Sequence, residues 1–219
     1  MKKLLKLWLK MWLYVMVAIA GVMGGMLIQG WDVLDVPTKS MMFLSIALAV
    51  HVMEEWRFPG GFYFNYNKLR GSKGEDLDRY PMNQITDMIT NFSGEIFFIV
   101  FLICGVNDRL TVMVFLFCVL EALGHLVLCV KKNMDWYHTF YNPGFATTLF
   151  GFLPLGVYTF TYLIQAELSV VDWGLGLLYM LIVLIVCIIL PEMIFKNKKS
   201  IYGYKKDYGY GFYEKYEGK

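Results

Sequence analysis

Six continuous apolar stretches run through the chain and constrain its fold more than any other feature. Each has about the 17 to 25 residues that an α-helix needs to cross roughly 30 Å of hydrocarbon. Only helices and closed barrels satisfy their backbone in lipid, and these stretches do not alternate as barrel strands would. Hydrophobic residues make up 58% of the 219 residues, above the roughly 45–50% typical of soluble domains. The sequence therefore predicts an all-α, polytopic transmembrane bundle with six spans, at residues 8–29, 40–56, 83–104, 110–130, 143–165 and 171–195.

The distribution of Lys and Arg predicts which side of the membrane each connection faces. Cytoplasmic loops of membrane proteins are enriched in these residues. With the N-terminus inside, only Lys39 and Arg109 of the 20 basic residues fall outside. We therefore predict a multi-pass protein of the cell membrane with both termini, Lys219 included, in the cytoplasm.

We predict a single integral-membrane domain over residues 1–199 and a Tyr-, Lys- and Gly-rich cytoplasmic tail over residues 200–219. The tail is expected to lie on lipid headgroups, with binding of a partner or nucleic acid as the alternative. The net charge of +2 is too small to indicate a nucleic-acid partner for the chain. Residues 1–20 resemble a signal peptide, but the sequence stays apolar beyond Ala20, which favours retention over cleavage.

The second span ends in His51-Val52-Met53-Glu54-Glu55, which places three ionisable side chains in an apolar segment. An acidic residue at the centre of a membrane helix costs about 2.5 to 3.5 kcal/mol, so such residues usually mark a functional site. Glu54 and Glu55 follow His51 by three and four residues, and these spacings place side chains on one helical face. The three side chains are therefore predicted to converge on one ion or proton.

Three further segments bring polar side chains to the same membrane level. The fourth span carries Glu121 and His125, an i,i+4 pair, and His125 lies about as deep as His51. In the third span, Asp87, Asn91 and Glu95 continue a four-residue spacing from Asn83, and His138 and Asn142 precede the fifth span. We expect Asp87, Asn91, Glu95, His138 and Asn142 to act as ligands, orienting groups or substrate contacts. Hydrogen bonding between helices is the alternative for Asp87 and Asn91, and a position at the membrane interface is the alternative for His138 and Glu55.

His and carboxylate side chains at these spacings on facing helices are how helical bundles assemble metal sites. We predict a catalytic set of His51, Glu54, Glu55, Glu121 and His125, in which His51, Glu54, Glu121 and His125 bind a divalent metal. A mixed nitrogen and oxygen shell suits Zn, Fe or Mn. Acid–base chemistry or a proton relay through the same groups, without a metal, is the alternative.

At the pentapeptide 51–55 the chain resembles the HXXEE family of small polytopic membrane proteins, which is named for that motif. The resemblance extends to Glu121 and His125 and to Asn142-Pro143-Gly144, and it covers roughly residues 40–165. It implies membership of an uncharacterised family, for which the His and Glu pattern suggests an intramembrane, metal-dependent catalytic role.

The chain is also similar in part to intramembrane glutamate proteases of the CAAX-processing type. The similarity lies in the paired Glu54-Glu55 and in His138-x-x-x-Asn142. The chain departs from that family's EExxxR pattern, because Arg57 follows Glu55 by only two positions. It also has Glu121 where the FxxxH motif of that family has Phe.

The leading functional hypothesis is an integral-membrane enzyme with its site in the cytoplasmic leaflet, acting on a lipidic or membrane-partitioned small molecule within the lipid bilayer. A proton- or ion-coupled transporter is the second hypothesis, because intramembrane carboxylates also mark ion pathways. Transporters commonly contain inverted repeats, and no convincing repeat is visible here. An intramembrane glutamate protease and a non-catalytic accessory protein are the remaining alternatives.

Overall fold

The computed structural model describes residues 2–216, and over this range the chain forms helices and connecting turns without a β-strand. Six helices in this range are long and apolar enough to cross a membrane. We number the helices α1 (Lys2–Gly30), α2 (Val36–Trp56), α3 (Phe62–Leu69), α4 (Gln84–Cys104), α5 (Asp108–Tyr137), α6 (Phe145–Leu163) and α7 (Val170–Phe195), of which all but α3 are the candidate spans. They confirm the predicted all-α membrane bundle. Met1 and residues 217–219, including the predicted cytoplasmic Lys219, lie outside the described residues.

Polar residues that precede the spans explain where two of the helices begin. Asp35 Oδ1 accepts a hydrogen bond of 2.8 Å from the backbone N–H of Thr38 at the start of α2. Asn83 accepts from the backbone N–H groups of Ile85 and Thr86 at the start of α4. These caps satisfy N–H groups that have no partner within the helix. Asn83, which begins the four-residue spacing of the third span, is therefore a helix cap.

Helix α2 lies at the centre of the bundle, where it contacts α1, α4, α5 and α6. Trp12 of α1 and Trp56 of α2 are buried and meet edge to face, with ring centroids 5.0 Å apart. Membrane helices associate through close packing and polar contacts, because lipid is as apolar as their side chains. The central position of α2 lets it bury polar residues away from lipid; they are Ser40, Ser45, His51, Glu54 and Glu55.

The start of α4, the end of α7 and the start of α1 lie at the same end of the bundle, which we call the polar end. Asn83 at the start of α4 donates a 3.0 Å hydrogen bond to the carbonyl of Phe195 at the end of α7. Tyr208 of the tail donates to the carbonyl of Leu9 in α1. The predicted cytoplasmic side corresponds to this end, and its orientation in a membrane stays a prediction from the charge pattern.

The connection between α2 and α4 contains helix α3, and the tail packs onto it. The Tyr63 ring of α3 stacks on Tyr204 with centroids 3.8 Å apart. Tyr204, Tyr210 and Tyr213 are buried. These tyrosines therefore pack on the protein, whereas the sequence suggests that they lie on headgroups. An aromatic residue beside Lys and Gly is compatible with either setting, so the sequence pattern alone does not separate them.

Three spans contain π-helical segments, at Leu128–Asn133 in α5, Thr148–Phe152 in α6 and Leu184–Ile189 in α7. π-Helical turns are rare and occur often at functional sites. The first two segments closely follow His125 and Thr147, which belong to the site described next.

Candidate metal centre

Two histidines and two glutamates of α2 and α5 face one another inside the bundle. His51 Nε2 lies 3.4 Å from Glu55 Oε1 and 3.7 Å from Glu121 Oε2. His125 Nε2 lies 3.6 Å from Glu55 Oε1 and 3.8 Å from Glu121 Oε2. We call these four residues the His/Glu cluster. The structure thus brings together four of the five residues predicted to be catalytic, and their chemical role stays a prediction.

The spacing of these atoms suits a single metal ion. In a tetrahedral site with bonds of about 2.0–2.2 Å, neighbouring ligand atoms lie about 3.3–3.6 Å apart. The two contacts of Glu55 fall in that range, and the two contacts of Glu121 lie just outside it. Ligand atoms of His51, Glu121 and His125 all lie within 4.8 Å of one another, a group that does not include Glu55; Glu55 approaches the two histidines only. Since all four contacts exceed the usual length of an N–H···O hydrogen bond, hydrogen bonding alone does not account for the arrangement.

Asn142 fixes which ring nitrogen of His125 carries the proton. The Asn142 amide nitrogen donates to the His125 carbonyl at 3.2 Å and to Cys129 Sγ at 2.9 Å. The Asn142 oxygen is therefore the atom 2.7 Å from His125 Nδ1, and this oxygen can only accept. Nδ1 carries a proton, so in the neutral ring Nε2 directs its lone pair into the cluster. Such a contact on the second ring nitrogen is typical of metal-binding histidines.

Thr147 has the same effect on His51. The Thr147 hydroxyl lies 2.9 Å from His51 Nδ1 and 2.6 Å from Glu54 Oε2. An ionised carboxylate can only accept, so the hydroxyl donates to Glu54 and accepts from the N–H of Nδ1. His51 Nε2 therefore faces Glu55 and Glu121, and in the neutral ring it directs a lone pair toward them. Neutral imidazoles of His51 and His125 would thus both present Nε2 to the carboxylates.

Glu54 does not join the cluster, which corrects its predicted role as a metal ligand. Its carboxylate accepts from Tyr141 Oη at 2.7 Å, from Ala146 N at 3.1 Å, and from Thr147 N at 2.7 Å and Oγ1 at 2.6 Å. The two backbone groups lie in the first turn of α6, where N–H groups have no partner within the helix. Glu54 therefore ties α2 to the start of α6. Neighbouring residues point about 100° apart around a helix, so Glu54 and Glu55 face different segments.

Tyr141 remains protonated for its contact with Glu54. Burial raises the pKa of the Tyr141 phenol well above its usual value, and the hydrogen bond to Glu54 raises it further. The phenol is therefore a donor at physiological pH. Sequence reasoning missed Tyr141 and Thr147, because both are uncharged and stand beside or within an apolar stretch.

Gly144 fits between the two imidazole rings. Its φ of 94° lies in the left-handed region that favours glycine. A Cβ at this position would overlap the His125 ring and lie 2.7 Å from His51 Cε1. The turn Asn142-Pro143-Gly144 therefore orients one histidine through Asn142 and leaves room for both rings at Gly144.

A cavity of about 230 Å³ lies beside the cluster and is bordered by α2, α3, α4, α5 and α7. Asp87 and Asn91 of α4 line it. Asn91 Nδ2 donates to Asp87 Oδ1 at 2.7 Å, and Tyr204 of the tail donates to Asp87 Oδ2 at 2.9 Å. The first contact lies within α4 and the second joins α4 to the tail, so neither is the predicted hydrogen bond between spans, and a role as substrate contacts stays a prediction.

Glu192 of α7 also lines the cavity. Tyr66 of α3 donates a hydrogen bond to Glu192, and Arg70 forms an ion pair with it. Burial raises the pKa of Tyr66 above its usual value, and the hydrogen bond to Glu192 raises it further. Sequence reasoning missed Glu192, because charged side chains are common near the ends of spans. It missed Tyr66, because helix α3 was not predicted.

Two residues predicted to support the site lie outside it. Glu95 is fully buried and accepts a hydrogen bond from Ser45, but it does not line the cavity. It stands eight residues beyond Asp87, about 12 Å further along α4. His138 is exposed at the end of α5 and does not line the cavity. Its φ of 51° ends the helix, so its spacing from Asn142 does not place the two side chains on one face.

A larger groove, of about 610 Å³, lies between α2 and α6. Thr147 borders it, and its other lining residues are largely apolar, without a carboxylate or an imidazole. The candidate chemistry is therefore in the smaller cavity beside the cluster.

Comparison with known proteins identifies the family of the chain. No curated protein and no solved structure matches it. The family model described as "Protein of unknown function with HXXEE motif" matches residues 42–159, which is more than half of the chain. The matched range contains the whole His/Glu cluster together with Asn142, Gly144 and Thr147. This membrane-helix bundle therefore belongs to the HXXEE family.

Proposed function

We propose that the chain is a membrane-embedded, metal-dependent enzyme acting on a lipidic or membrane-partitioned small molecule. The observation that carries this proposal is the orientation of the two histidines. Nδ1 of His51 and of His125 contacts Thr147 and Asn142, so both rings turn Nε2 toward the carboxylates of the cluster. Neutral imidazoles in this orientation present lone pairs to anionic groups, and such groups repel one another in a low-dielectric interior unless a proton or a metal ion lies between them.

The donor set of the cluster fits a divalent ion. Two imidazole nitrogens and two carboxylate oxygens suit Zn, Fe or Mn. A bound ion of this kind supplies Lewis-acid polarisation of a substrate oxygen. The residues of the chain would do the remaining work. Asn142 and Thr147 would hold the imidazoles in place, and Asp87 would accept a hydrogen bond or a proton from a substrate in the cavity.

The site is proposed to face the cytoplasm. It lies toward the polar end of the bundle, where His51 is five residues from the end of α2 and Asp87 is near the start of α4. The basic residues of the flanking segments support a cytoplasmic position for this end, by the positive-inside rule. A substrate would then enter from the cytoplasmic leaflet of the cell membrane.

Two alternatives from the sequence differ in how well the contacts support them. A glutamate protease would use both carboxylates of the pair, whereas Glu54 already accepts four hydrogen bonds from Tyr141 and α6. A proton- or ion-coupled transporter is the second candidate function. It is favoured by Glu95, whose Oε2 is buried without a hydrogen-bond partner among the described residues.

Elemental analysis of the full chain, purified in a neutral detergent, tests the proposal. About one equivalent of Zn, Fe or Mn is expected in the wild type, and His125→Ala should lose it. His138→Ala is the matched control, because His138 is exposed and outside the cavity, and it should retain the metal. Absence of stoichiometric metal after reconstitution, or its retention in His125→Ala, would contradict the proposal.

Two assays on proteoliposomes distinguish an enzyme, a transporter and an accessory protein. Turnover of lipids or membrane-partitioned esters and amides that is lost in Glu121→Gln and kept in His138→Ala supports the enzyme. Proton or ion flux that is lost in Glu95→Gln supports the transporter. If Glu121→Gln alters only the free energy of unfolding, with no change in either assay, the chain is the accessory protein.

A further inference from the structure

The cavity beside the His/Glu cluster is lined by four carboxyl groups, and its histidines belong to the cluster itself. Glu55, Asp87, Glu121 and Glu192 line it, and none of its described lining residues is Lys or Arg. Arg70 pairs with Glu192. A divalent ion in the cluster would balance Glu55 and Glu121. Asp87 is then the one carboxylate among these four that the described residues leave without a cation.

Asp87 is held in a fixed orientation by neutral groups. Tyr204 donates to one of its oxygens and Asn91 to the other. The Trp56 side chain also faces the Asp87 carboxyl. A carboxylate has four acceptor positions, so at least one of those of Asp87 remains. Asp87 is 3% exposed and lines the cavity. The free acceptor capacity is therefore available to a molecule inside the cavity rather than to bulk solvent.

Thr86 provides a second polar group that needs a partner. It lines the same cavity and is 2% exposed, and its Oγ1 has no hydrogen-bond partner among the described residues. Buried hydroxyl groups are nearly always hydrogen-bonded. Thr86 and Thr90, like Asp87 and Asn91, are four residues apart, so two adjacent stripes of α4 present polar groups to the cavity.

The rest of the cavity is apolar and small. Its apolar lining includes Leu48, Phe98, Phe117, Val183 and Ile188. The volume of about 230 Å³ is below the roughly 300–1,000 Å³ of typical small-molecule pockets. The cavity therefore has room for a polar group with a few carbon atoms attached, and the remainder of a larger molecule would extend outside.

We infer that the cavity binds the polar end of an amphiphile whose head is a hydrogen-bond donor, cationic or neutral, such as an amine or a hydroxyl. The donor contacts Asp87 and Thr86, and the attached carbon atoms contact the apolar wall. A phosphate or carboxylate head is disfavoured at this position, because it would face Asp87 while the proposed metal ion is already balanced by Glu55 and Glu121. This inference rests on the proposed function, since it makes the cavity the substrate site of the His/Glu cluster.

Cys187 allows a direct test of this charge preference, because it lines the cavity whereas Cys104 is exposed. The full chain in neutral detergent is treated with 2-aminoethyl or 2-sulfonatoethyl methanethiosulfonate, and the modification rate of each cysteine is read by mass spectrometry. The cation-to-anion rate ratio should be about tenfold or more higher at Cys187 than at Cys104. Asp87→Asn should lower the Cys187 ratio, and Asp76→Asn, outside the cavity, should not. Equal ratios at the two cysteines, or a preference for the anion at Cys187, would overturn the inference.

Thermal unfolding with short amphiphiles gives a second measurement if Cys187 does not react with either reagent. Hexylamine and hexanol should raise the Tm of the wild type, and hexyl phosphate should not. Asp87→Asn should abolish the effect of hexylamine. Greater stabilisation by hexyl phosphate, or none by any of the three, would contradict the inference.

Metal analysis of the same samples separates the two proposals. A cationic preference in protein without metal overturns the metal-dependent function alone. Stoichiometric metal without a cationic preference overturns the substrate class alone.

Discussion

Glu54 and Glu55 are adjacent in sequence, are both buried, and have opposite surroundings. Glu54 faces donors: a phenol, a hydroxyl and two backbone N–H groups at the start of α6. Glu55 faces the Nε2 atoms of His51 and His125, at 3.4 and 3.6 Å. A buried carboxylate surrounded by donors is a structural connection between helices. A buried carboxylate that faces two neutral imidazole nitrogens requires a proton or a metal ion, so of the pair we propose Glu55 for the chemistry.

The largest effect is expected where the two surroundings meet, at Gly144. Gly144→Ala would place a methyl group against both imidazole rings at a φ of 94°. We expect the free energy of unfolding to fall by about 2–4 kcal/mol and metal binding to be lost. Unfolding in mixed micelles and elemental analysis measure the two effects. Gly124→Ala is the control, because a Cβ there meets nothing within 4 Å; similar behaviour of both variants would mean that the space between the rings is not required.

The paired glutamates should separate in a comparison of Glu55→Gln with Glu54→Gln. Glu55→Gln removes a ligand, so its metal affinity should fall by more than the roughly 10–100-fold typical of outer contacts. Its metal-free stability should change little. Glu54→Gln should retain the metal but lose about 2–3 kcal/mol, because its amide cannot serve all the donors that the carboxylate serves. Metal competition titrations and denaturant unfolding check both variants, and the reverse assignment would mean that the sequence prediction for Glu54 was right.

A smaller effect on metal binding is expected at Asn142. Asn142→Ala leaves all four cluster residues in place but removes the acceptor for His125 Nδ1. We expect a loss of about 10–100-fold in metal affinity, measured by competition with a chelator. Unchanged affinity would show that the orientation of His125 does not depend on this contact.

The smallest effect is expected at Tyr204 in the tail. Tyr204→Phe removes one hydrogen bond to Asp87 and should cost about 1 kcal/mol of stability. It should not change the metal content. Tyr202→Phe, which leaves the Asp87 contact in place, is the matched control in the same unfolding assay. Loss of metal in Tyr204→Phe would mean that the tail contributes to metal binding.

The sequence predicts the spans and most of the cluster for related reasons. Hydropathy and length identify helices that cross a membrane. A spacing of four residues places His51 with Glu55 and Glu121 with His125 on common faces. Depth along the spans brings the two pairs to one level. These quantities depend on a single helix at a time, which is why a sequence without a structure suffices for them.

The sequence does not predict which donors another segment will present. Nothing in residues 51–55 shows that the first turn of α6 and Tyr141 will occupy the face of Glu54. The same limitation applies to His138, because a residue with positive φ at the end of a helix breaks the spacing used to place it. The role of Gly144 depends on a contact between three segments, so it also becomes visible only in the folded chain.

X-ray absorption spectroscopy of the zinc-loaded full chain tests the central claim most directly. We expect one zinc ion with about two imidazole nitrogens and two carboxylate oxygens at about 2.0–2.2 Å. Glu55→Gln should lower the oxygen contribution, and Glu54→Gln should leave the spectrum unchanged. A spectrum without imidazole scattering, or with one that changes in Glu54→Gln and not in Glu55→Gln, would contradict the assignment of Glu55 to the metal and Glu54 to the fold.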